Sequence, residues 1–288
     1  MPADTERARD GRHREEACGR GHPLRGVRPD PGAHSGVGSG VTAGLDGSDG
    51  SAGADGTKAA PARGWSFPGQ PPTRLVLIRH GETDHTTERR FSGGLLSANP
   101  GLNDTGRSQV QATAEWLAPV ADQIDVVLAS PVRRTRESAE IVAAGLGKHE
   151  VLIDDGFAEM EFGTWDGMTF VEVSEVFPEE LQTWFGSMDH APGGGESFRS
   201  VEKRVLEGLD RVLTTYAGKT VALVSHVTPI KTLVAHALEA PLTSLYRLEL
   251  TPASVTVLSY FVGGENGDER MASMRTFNAT PSATAFPL

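Results

Sequence analysis

The segment "LVLIRHGET" (residues 75–83) constrains the fold of this chain more than any other feature. Four aliphatic residues in a row are followed at once by Arg79, His80 and a glycine. An uninterrupted apolar run of this length is typical of a strand that is buried on both faces in a parallel sheet. Ligands of open α/β sheets bind outside the carboxyl ends of the strands. The segment therefore predicts a buried strand that ends in ligand-facing polar residues.

Residues 1–72 have a composition that differs from the rest of the chain. They contain 15 of the 34 glycines, few large aliphatic residues, 9 Lys+Arg and 9 Asp+Glu. Such a segment cannot bury enough apolar surface to offset the entropy of ordering it. We predict a disordered, glycine-rich N-terminal tail at residues 1–72 and a single domain at residues 73–288.

The charge and the cysteine content exclude several classes of protein. Because the tail is neutral, the whole formal charge of −11 falls on the predicted domain, which argues against nucleic-acid or membrane partners. No apolar run approaches the roughly 18 residues of a membrane span, and the N-terminus lacks the apolar core of a secretory signal. The only cysteine, Cys18, lies in the tail, so no thiol nucleophile is expected in the domain. We expect a cytoplasmic protein.

Strand and helix patterns alternate along the predicted domain. Two apolar strands are each followed by a polar cap and a proline, with Ser130 and Thr228 as predicted N-caps. Further helices are predicted at residues 105–117, 170–177 and 197–216, and edge strands at residues 246–250, 254–261 and 271–277. The alternation predicts an α/β fold, a three-layer α/β/α sandwich with a mostly parallel sheet and an antiparallel edge.

Three predicted strands deliver basic side chains to one edge of this sheet. Arg79 and His80 end the first strand, Arg134 follows the second, and His226 ends the third. Two of these strands also lead into helices, whose free N–H groups favour an anion. Arginine binds phosphate oxygens bidentately, and histidine can act as nucleophile, proton carrier or metal ligand. The metal alternative is weak, because no short His-x-x-x-His or acidic cluster accompanies either histidine.

Five motifs, in order, give the chain a family resemblance over residues 73 to about 250. The domain resembles the histidine phosphatase superfamily, branch 1, also called phosphoglycerate mutase-like. The residues of its motifs are most similar to those of bacterial acid phosphatase and alpha-ribazole phosphatase domains. The motifs are "LIRHGET", "ASPVRRTRESA", "EMEFGTWDG", "GGGESF" and "LVSHVTP". The resemblance implies a phosphoglycerate mutase-like sandwich.

The resemblance also implies roles for individual residues. His80 would attack phosphorus and become a phosphohistidine, while Arg79, Arg134 and His226 hold the phosphoryl oxygens. Glu159 would donate a proton to the leaving group. Catalysis of such a phosphoryl transfer depends mainly on positioning of the substrate and stabilisation of charge in the transition state, so no metal or cofactor is expected. The implied substrate is a small-molecule phosphomonoester.

For two of these assignments, a nearby residue of the same type in the same motif is an alternative. The family pattern favours Arg134 over Arg133, because it places the arginine four residues after the serine that opens the motif. It favours Glu159 over Glu161, although alternation in an extended segment would turn both side chains the same way. For Glu196, an interaction with the dipole of the following helix is preferred to a catalytic role.

The chain departs from the family pattern at two places. Thr86 replaces an asparagine of the mutases, and Val227 and Thr228 stand where many members have paired glycines.

The loop at residues 91–106 is rich in turn residues and long, which favours a substrate-covering role. Four residues in or next to it are predicted to contact substrate: Arg89, Arg90, Ser92 and Gly93.

Three functions are compatible with these motifs. A phosphatase is preferred, because the mutases of the family carry a longer insertion than residues 170–195 provide. A phosphomutase ranks second, and a catalytically silent phosphate-binding module ranks third because the nucleophile is present. The substrate and the oligomeric state are not readable from the sequence.

Overall fold

The computed structural model describes residues 71–95, 98–263 and 269–281. The predicted tail lies outside the described residues apart from its last two positions. The described residues form six strands: β1 (Thr73–Arg79), β2 (Val126–Ala129), β3 (Leu152–Ile153), β4 (Thr220–Ser225), β5 (Val255–Gly263) and β6 (Glu269–Ala279). The helices are α1 (Asp84–Thr87), α2 (Asp104–Leu117), α3 (Arg133–Gly145), α4 (Phe170–Val176), α5 (Pro178–Gly186), α6 (Phe198–Thr215) and α7 (Val227–Ala237).

The six strands form one sheet in the order β3-β2-β4-β1-β5-β6. Strand β4 pairs in parallel with both β1 and β2, and β3 pairs in parallel with β2. Strands β5 and β6 add antiparallel pairs beside β1. This arrangement confirms the predicted mostly parallel sheet with an antiparallel edge.

Strand β1 is buried on both faces, as its apolar run predicts. Leu75 and Leu77 pack into one hydrophobic cluster, and Val76 and Ile78 pack into another on the opposite face. Successive side chains of a strand point to opposite faces, so a strand covered on both sides needs apolar residues at every position. Helices α6 and α7 contribute to the first cluster, and α2 and α3 to the second. The result is the predicted three-layer sandwich.

Two predicted helix starts are wrong by a few residues. Helix α3 begins at Arg133 with Val132 as N-cap, rather than after Ser130. The Ser130 hydroxyl instead contacts the ring of His226, 2.7 Å away. Helix α7 begins at Val227 with His226 as N-cap, so the proline after Thr228 is the third helical residue. Proline is tolerated there because the N–H groups of a first helical turn have no intrahelical acceptor.

Other boundaries agree closely with the pattern, with a few exceptions. Helix α6 starts at Phe198, one residue after the predicted start, and α4 starts at Phe170 as predicted, after Thr169 in a capping box. The strand predicted at residues 246–250 is wrong, since a 3₁₀ helix occupies Leu242–Arg247. Its buried residues are Leu242 and Leu245, three apart, which is helical spacing rather than alternation. The short helix α1, the two-residue strand β3 and helix α5 were not predicted.

The described helices are all too short or too polar to cross a bilayer.

Candidate active site

The carboxyl edge of the central strands brings together Arg79, His80, Arg134 and His226, called here the basic cluster. The His80 backbone N–H donates to the Ser225 carbonyl, 3.0 Å away, which fixes the end of β1 against β4. The two histidine rings lie 5.2 Å apart between centroids. Arg79, His80 and Arg134 line a cavity of about 520 Å³ at this edge. The predicted juxtaposition of these four side chains is therefore present.

The ring of His80 has a defined tautomer. Its Nδ1 lies 2.7 Å from the Gly81 carbonyl oxygen, which can only accept, so Nδ1 carries the ring proton. The unprotonated Nε2 accepts a hydrogen bond from Arg134 Nε at 3.2 Å. Burial, with the positive charges of Arg134 and Arg79, holds the pKa of His80 well below its usual range. His80 is therefore a neutral imidazole with its lone pair on Nε2.

A glycine after His80 is required by packing. A Cβ at Gly81 would lie 2.4 Å from the carbonyl oxygen of Gly106 in the first turn of α2. This close approach brings the start of α2 against the end of β1.

His226 is fully buried beside His80. Its Nε2 lies 2.7 Å from the Ser130 hydroxyl, which also accepts from the Val132 N–H at 3.3 Å. Among the described residues its Nδ1 has no hydrogen-bond partner. Burial and the charge of Arg134 lower the pKa of His226 well below its usual range, so the ring is neutral. When the Ser130 hydroxyl donates to Nε2, the ring proton is on Nδ1, which can then donate a hydrogen bond to an anion.

Arg134 is buried, whereas its neighbour Arg133 is exposed. Arg134 Nη2 donates to the carbonyls of Ser92 and Gly93 at 3.1 and 3.0 Å, and within the described part of the chain its Nη1 has no partner. Burial lowers the pKa of Arg134 to about 10. Arg133 instead forms a surface ion pair with Glu137 at 2.7 Å. The geometry thus separates two arginines that are adjacent in sequence.

Arg79 adds a second guanidinium to the cluster. Its Nη1 donates to the Leu250 carbonyl, and its buried Nε has no hydrogen-bond partner in the described ranges. Burial lowers the pKa of Arg79 to about 10, while the carboxylate of Glu159 opposes this shift. Buried cations with unpaired N–H groups favour an anionic ligand, because desolvation is otherwise uncompensated. The cluster therefore fits a phosphoryl group.

The two candidate glutamates face different partners. Glu159 is buried and lines the cavity; its Oε1 accepts from the Met160 N–H at 2.8 Å and its Oε2 from the Thr228 N–H at 3.4 Å. Glu161 Oε1 accepts from the Leu95 N–H at 2.7 Å. The segment is a loop between two 3₁₀ turns rather than an extended strand, so alternation does not apply. Glu159 is positioned at the cavity, and Glu161 supports the neighbouring loop.

Glu196 has a partner that the sequence did not indicate, so the predicted dipole interaction is not its main contact. It forms a bidentate pair with Arg204, with both N–O distances at 2.8 Å. Arg204 also donates to the carbonyls of Ala158 and Glu159, at 2.7 and 3.0 Å. The pair thereby fixes the loop that carries the Glu159 side chain. The two residues lie eight apart on either side of a helix start, and no local pattern links them.

The predicted loop residues have different environments. Arg89, Arg90 and Ser92 line the cavity. Arg90 is engaged with Glu88 and with the Gly167 carbonyl at 2.8 Å, which leaves it less available to a ligand. Gly93 acts through its backbone, because its carbonyl accepts from Arg134. The predicted loop at residues 91–106 is described apart from residues 96–97, and its last three residues belong to α2.

Sequence reasoning missed most of the outer part of the cavity. Six aromatic side chains and one lysine line it: Phe91, Phe162, Phe170, Trp184, Phe198, Tyr246 and Lys231. None of these seven residues was singled out as a site residue from the sequence. They come from seven separate segments, so no single motif could have grouped them. Within the described residues, no group of three or more His, Cys, Asp or Glu side chains is placed to hold a metal ion.

Comparisons with known proteins agree with this geometry. The chain matches a family model described as histidine phosphatase superfamily (branch 1) over residues 75–269. A protein of Mycobacterium tuberculosis named as bifunctional is 41% identical over 224 residues, which cover 78% of this chain and 58% of that protein. A phosphoserine phosphatase of Hydrogenobacter thermophilus is 31% identical over 186 residues, covering 64% of this chain and 85% of the relative. The chain thus spans little more than half of the bifunctional relative.

A solved structure of a mycobacterial glucosyl-3-phosphoglycerate phosphatase, in complex with VO3, has the same fold. It aligns with a TM-score of 0.62 at 28% identity, covering 72% of this chain and 100% of that chain. This likeness confirms the predicted phosphoglycerate mutase-like architecture. Together with the match over residues 75–269, it shows that the chain belongs to the histidine phosphatase superfamily, branch 1.

Proposed function

We propose that the protein is a metal-independent phosphatase that hydrolyses small phosphomonoesters through a phosphohistidine on His80. The observation that carries the proposal is the His80 ring, whose Nδ1 donates to Gly81 and whose Nε2 lone pair lies in a cluster of buried cations. A nucleophile must be unprotonated at the attacking atom, and this ring meets that condition. The named phosphatases among the relatives support the same class of reaction.

In the first step His80 Nε2 forms a bond to phosphorus and the bond from phosphorus to the leaving oxygen breaks. Glu159 in its protonated form gives its proton to that oxygen. The Arg134 guanidinium, which donates to Nε2 in the structure, then donates to the bound phosphoryl group instead. Arg79, Arg134 and the Nδ1–H of His226 neutralise the charge on the phosphoryl oxygens.

In the second step water attacks the phosphohistidine. Glu159, now ionised, accepts a proton from the water, the phosphorus–nitrogen bond breaks, and inorganic phosphate leaves. His80 returns to its neutral form, and Glu159 is protonated again. The cations that stabilise both transition states are side chains of the protein, so no metal ion is required by the chemistry.

The test is to trap the intermediate. Brief reaction with a phosphomonoester labelled in its phosphate, followed by denaturation, should leave acid-labile, base-stable label on His80, located by peptide mapping. The His80→Ala variant should carry no label, while His149→Ala, a change at an exposed histidine outside the cavity, should label normally. Turnover by His80→Ala at near wild-type rate would refute the covalent mechanism, and loss of activity on chelation would refute metal independence.

A further inference from the structure

The cavity is larger than a phosphoryl group requires. A volume of about 520 Å³ lies within the range of roughly 300 to 1,000 Å³ that is typical of sites for whole small molecules. Three residues of the basic cluster, Arg79, His80 and Arg134, form only part of its lining. The remaining space must therefore receive the leaving group of the substrate.

Much of that space is bounded by the six aromatic side chains described above, called here the aromatic wall: Phe91, Phe162, Phe170, Trp184, Phe198 and Tyr246. Five of these rings form a chain of contacts, with centroid distances of 5.2 Å between Trp184 and Phe198 and 5.6 Å between Phe198 and Tyr246. The sixth, Phe170, is joined to them through Phe185, whose ring centroid lies 6.0 Å from those of Phe170 and Tyr246. A continuous aromatic surface favours an apolar or planar ligand body.

Lys231 also lines the cavity, on helix α7. Helix α7 supplies Thr228, whose N–H contacts Glu159, and Lys231 lies about one turn further along the same helix. The Lys231 ammonium donates to the Leu245 carbonyl at 3.1 Å, next to Tyr246 of the aromatic wall. The cavity lining therefore includes this ammonium on the helix that contacts Glu159, next to a residue of the aromatic wall.

The ammonium has unused binding capacity. It carries three donors, and among the described residues its one hydrogen bond is to the Leu245 carbonyl. Burial lowers the pKa of Lys231, and the negative charge of Glu159 opposes the shift. An anionic ligand group would compensate this desolvation and form a charge-assisted hydrogen bond.

We propose that Lys231 is a specificity-determining residue that binds an anionic group, such as a carboxylate, on the leaving group of the substrate. The preferred substrate class is then a phosphomonoester of an acid with an apolar body, in which the phosphate contacts the basic cluster and the body contacts the aromatic wall. This inference rests on the proposed phosphatase function.

The test compares aryl phosphates that differ only in the charge of one substituent. The ortho-, meta- and para-carboxyphenyl phosphates are paired with the corresponding carbamoylphenyl phosphates, whose amide has a similar size but no charge. We expect the wild type to favour the best carboxylate isomer over its amide by roughly 10- to 100-fold in kcat/KM, the value of one hydrogen bond to a charged group. Lys231→Met should bring this ratio close to one. Lys203→Met, a change at an exposed lysine of α6, should leave the ratio unchanged.

The outcomes separate this inference from the proposed function. If the wild type hydrolyses these esters but prefers no carboxylate isomer, the inference is refuted and the phosphatase function stands. The same holds if Lys231→Met lowers kcat/KM equally for acid and amide, since Lys231 would then act on the phosphate. If no aryl phosphate is hydrolysed, the proposed function fails and the inference fails with it. The absence of a wild-type preference would refute the inference even if Lys231→Met does not fold.

Discussion

The basic cluster and the aromatic wall are supported by the fold in different ways. Residues of the cluster end β1, follow β4 or lie in the first turn of α3, beside strands that are hydrogen-bonded on both sides. The wall is contributed by loops, by α4 and α5, by the first residue of α6 and by a 3₁₀ turn, and two of its residues, Phe170 and Tyr246, are 46% and 40% exposed. The proposed phosphoryl chemistry thus depends on the rigid sheet, and the proposed leaving-group selection depends mainly on loops and short elements, whose sequences vary more easily.

The largest effect is expected inside the basic cluster. Arg134→Met keeps the length of the side chain but removes the charge that would stabilise the phosphoryl oxygens. We expect kcat/KM to fall by roughly 10³- to 10⁵-fold, the range found for arginines that stabilise phosphoryl transfer. The measurement is the steady-state rate with an alkyl phosphate, with thermal unfolding as a check on folding.

Arg133→Met is the matched control, because it changes the adjacent residue and removes only a surface ion pair. We expect less than about a threefold change in kcat/KM, since exposed ion pairs contribute about 0–1 kcal/mol. Equal losses in the two variants would mean that the cluster is not organised around Arg134.

The next largest effect is expected at Glu159, which lines the same cavity as the basic cluster and the aromatic wall. Glu159→Gln removes the proton donor and should cost roughly 10²- to 10⁴-fold in kcat with an alkyl phosphate, the usual value of general acid–base catalysis. The loss should be smaller with aryl phosphates, whose leaving groups need little protonation. Glu161→Gln is the control. A loss below tenfold for Glu159→Gln, with inactive Glu161→Gln, would transfer the role to Glu161.

Acid stability distinguishes the buried histidines of the cluster from surface histidines. The pKa of His80 is held well below 6.5 in the folded protein by burial and by Arg134, so below about pH 6.5 only the unfolded chain takes up this proton. His80 therefore makes stability fall as pH decreases, by up to about 1.4 kcal/mol per pH unit, between pH 6.5 and its folded pKa.

His80→Asn should remove this contribution, so its free energy of unfolding should depend less on pH than that of the wild type. The measurement is chemical denaturation at several values between about pH 7.5 and pH 5. His149→Asn, at an exposed position, should retain the wild-type dependence. Identical slopes for wild type and His80→Asn would contradict a buried neutral histidine.

A smaller effect is expected at the aromatic wall. Phe170→Ala should reduce kcat/KM for a naphthyl phosphate by about two- to tenfold, the value of one aromatic contact. It should change kcat/KM for glycerol phosphate much less, because a small leaving group does not reach this ring. Val171→Ala, at an exposed neighbour on the same helix, is the control. A loss that is equal for both substrates would show that Phe170 supports the fold rather than the ligand.

The smallest effect is expected outside both regions. Deletion of residues 1–72 should change kcat/KM by less than about twofold, because their composition offers little apolar surface to pack. Steady-state kinetics and the midpoint of thermal unfolding would check this. A large loss of activity or of cooperative unfolding would show that the domain boundary is misassigned.

The sequence by itself determined the fold class and the basic cluster. The apolar run of β1, the helix pattern of residues 197–216 and the residues of each motif are local signals, since each depends on residues within one element or its flanks. A strand that is apolar at every position must be covered on both faces, and its carboxyl end then becomes a ligand site. Arg79, His80 and His226 were found for this reason.

Only the tertiary structure decided which neighbours act together. Glu159 differs from Glu161 because a loop turns one carboxylate into the cavity, and the Arg204 side chain that fixes this loop contacts a carbonyl 46 residues earlier in the chain. Ser130 contacts His226 rather than capping α3, and Lys231 meets the aromatic wall only where α7 packs beside other segments. These contacts join residues far apart in the chain, so neither hydrophobic periodicity nor motif spacing encodes them.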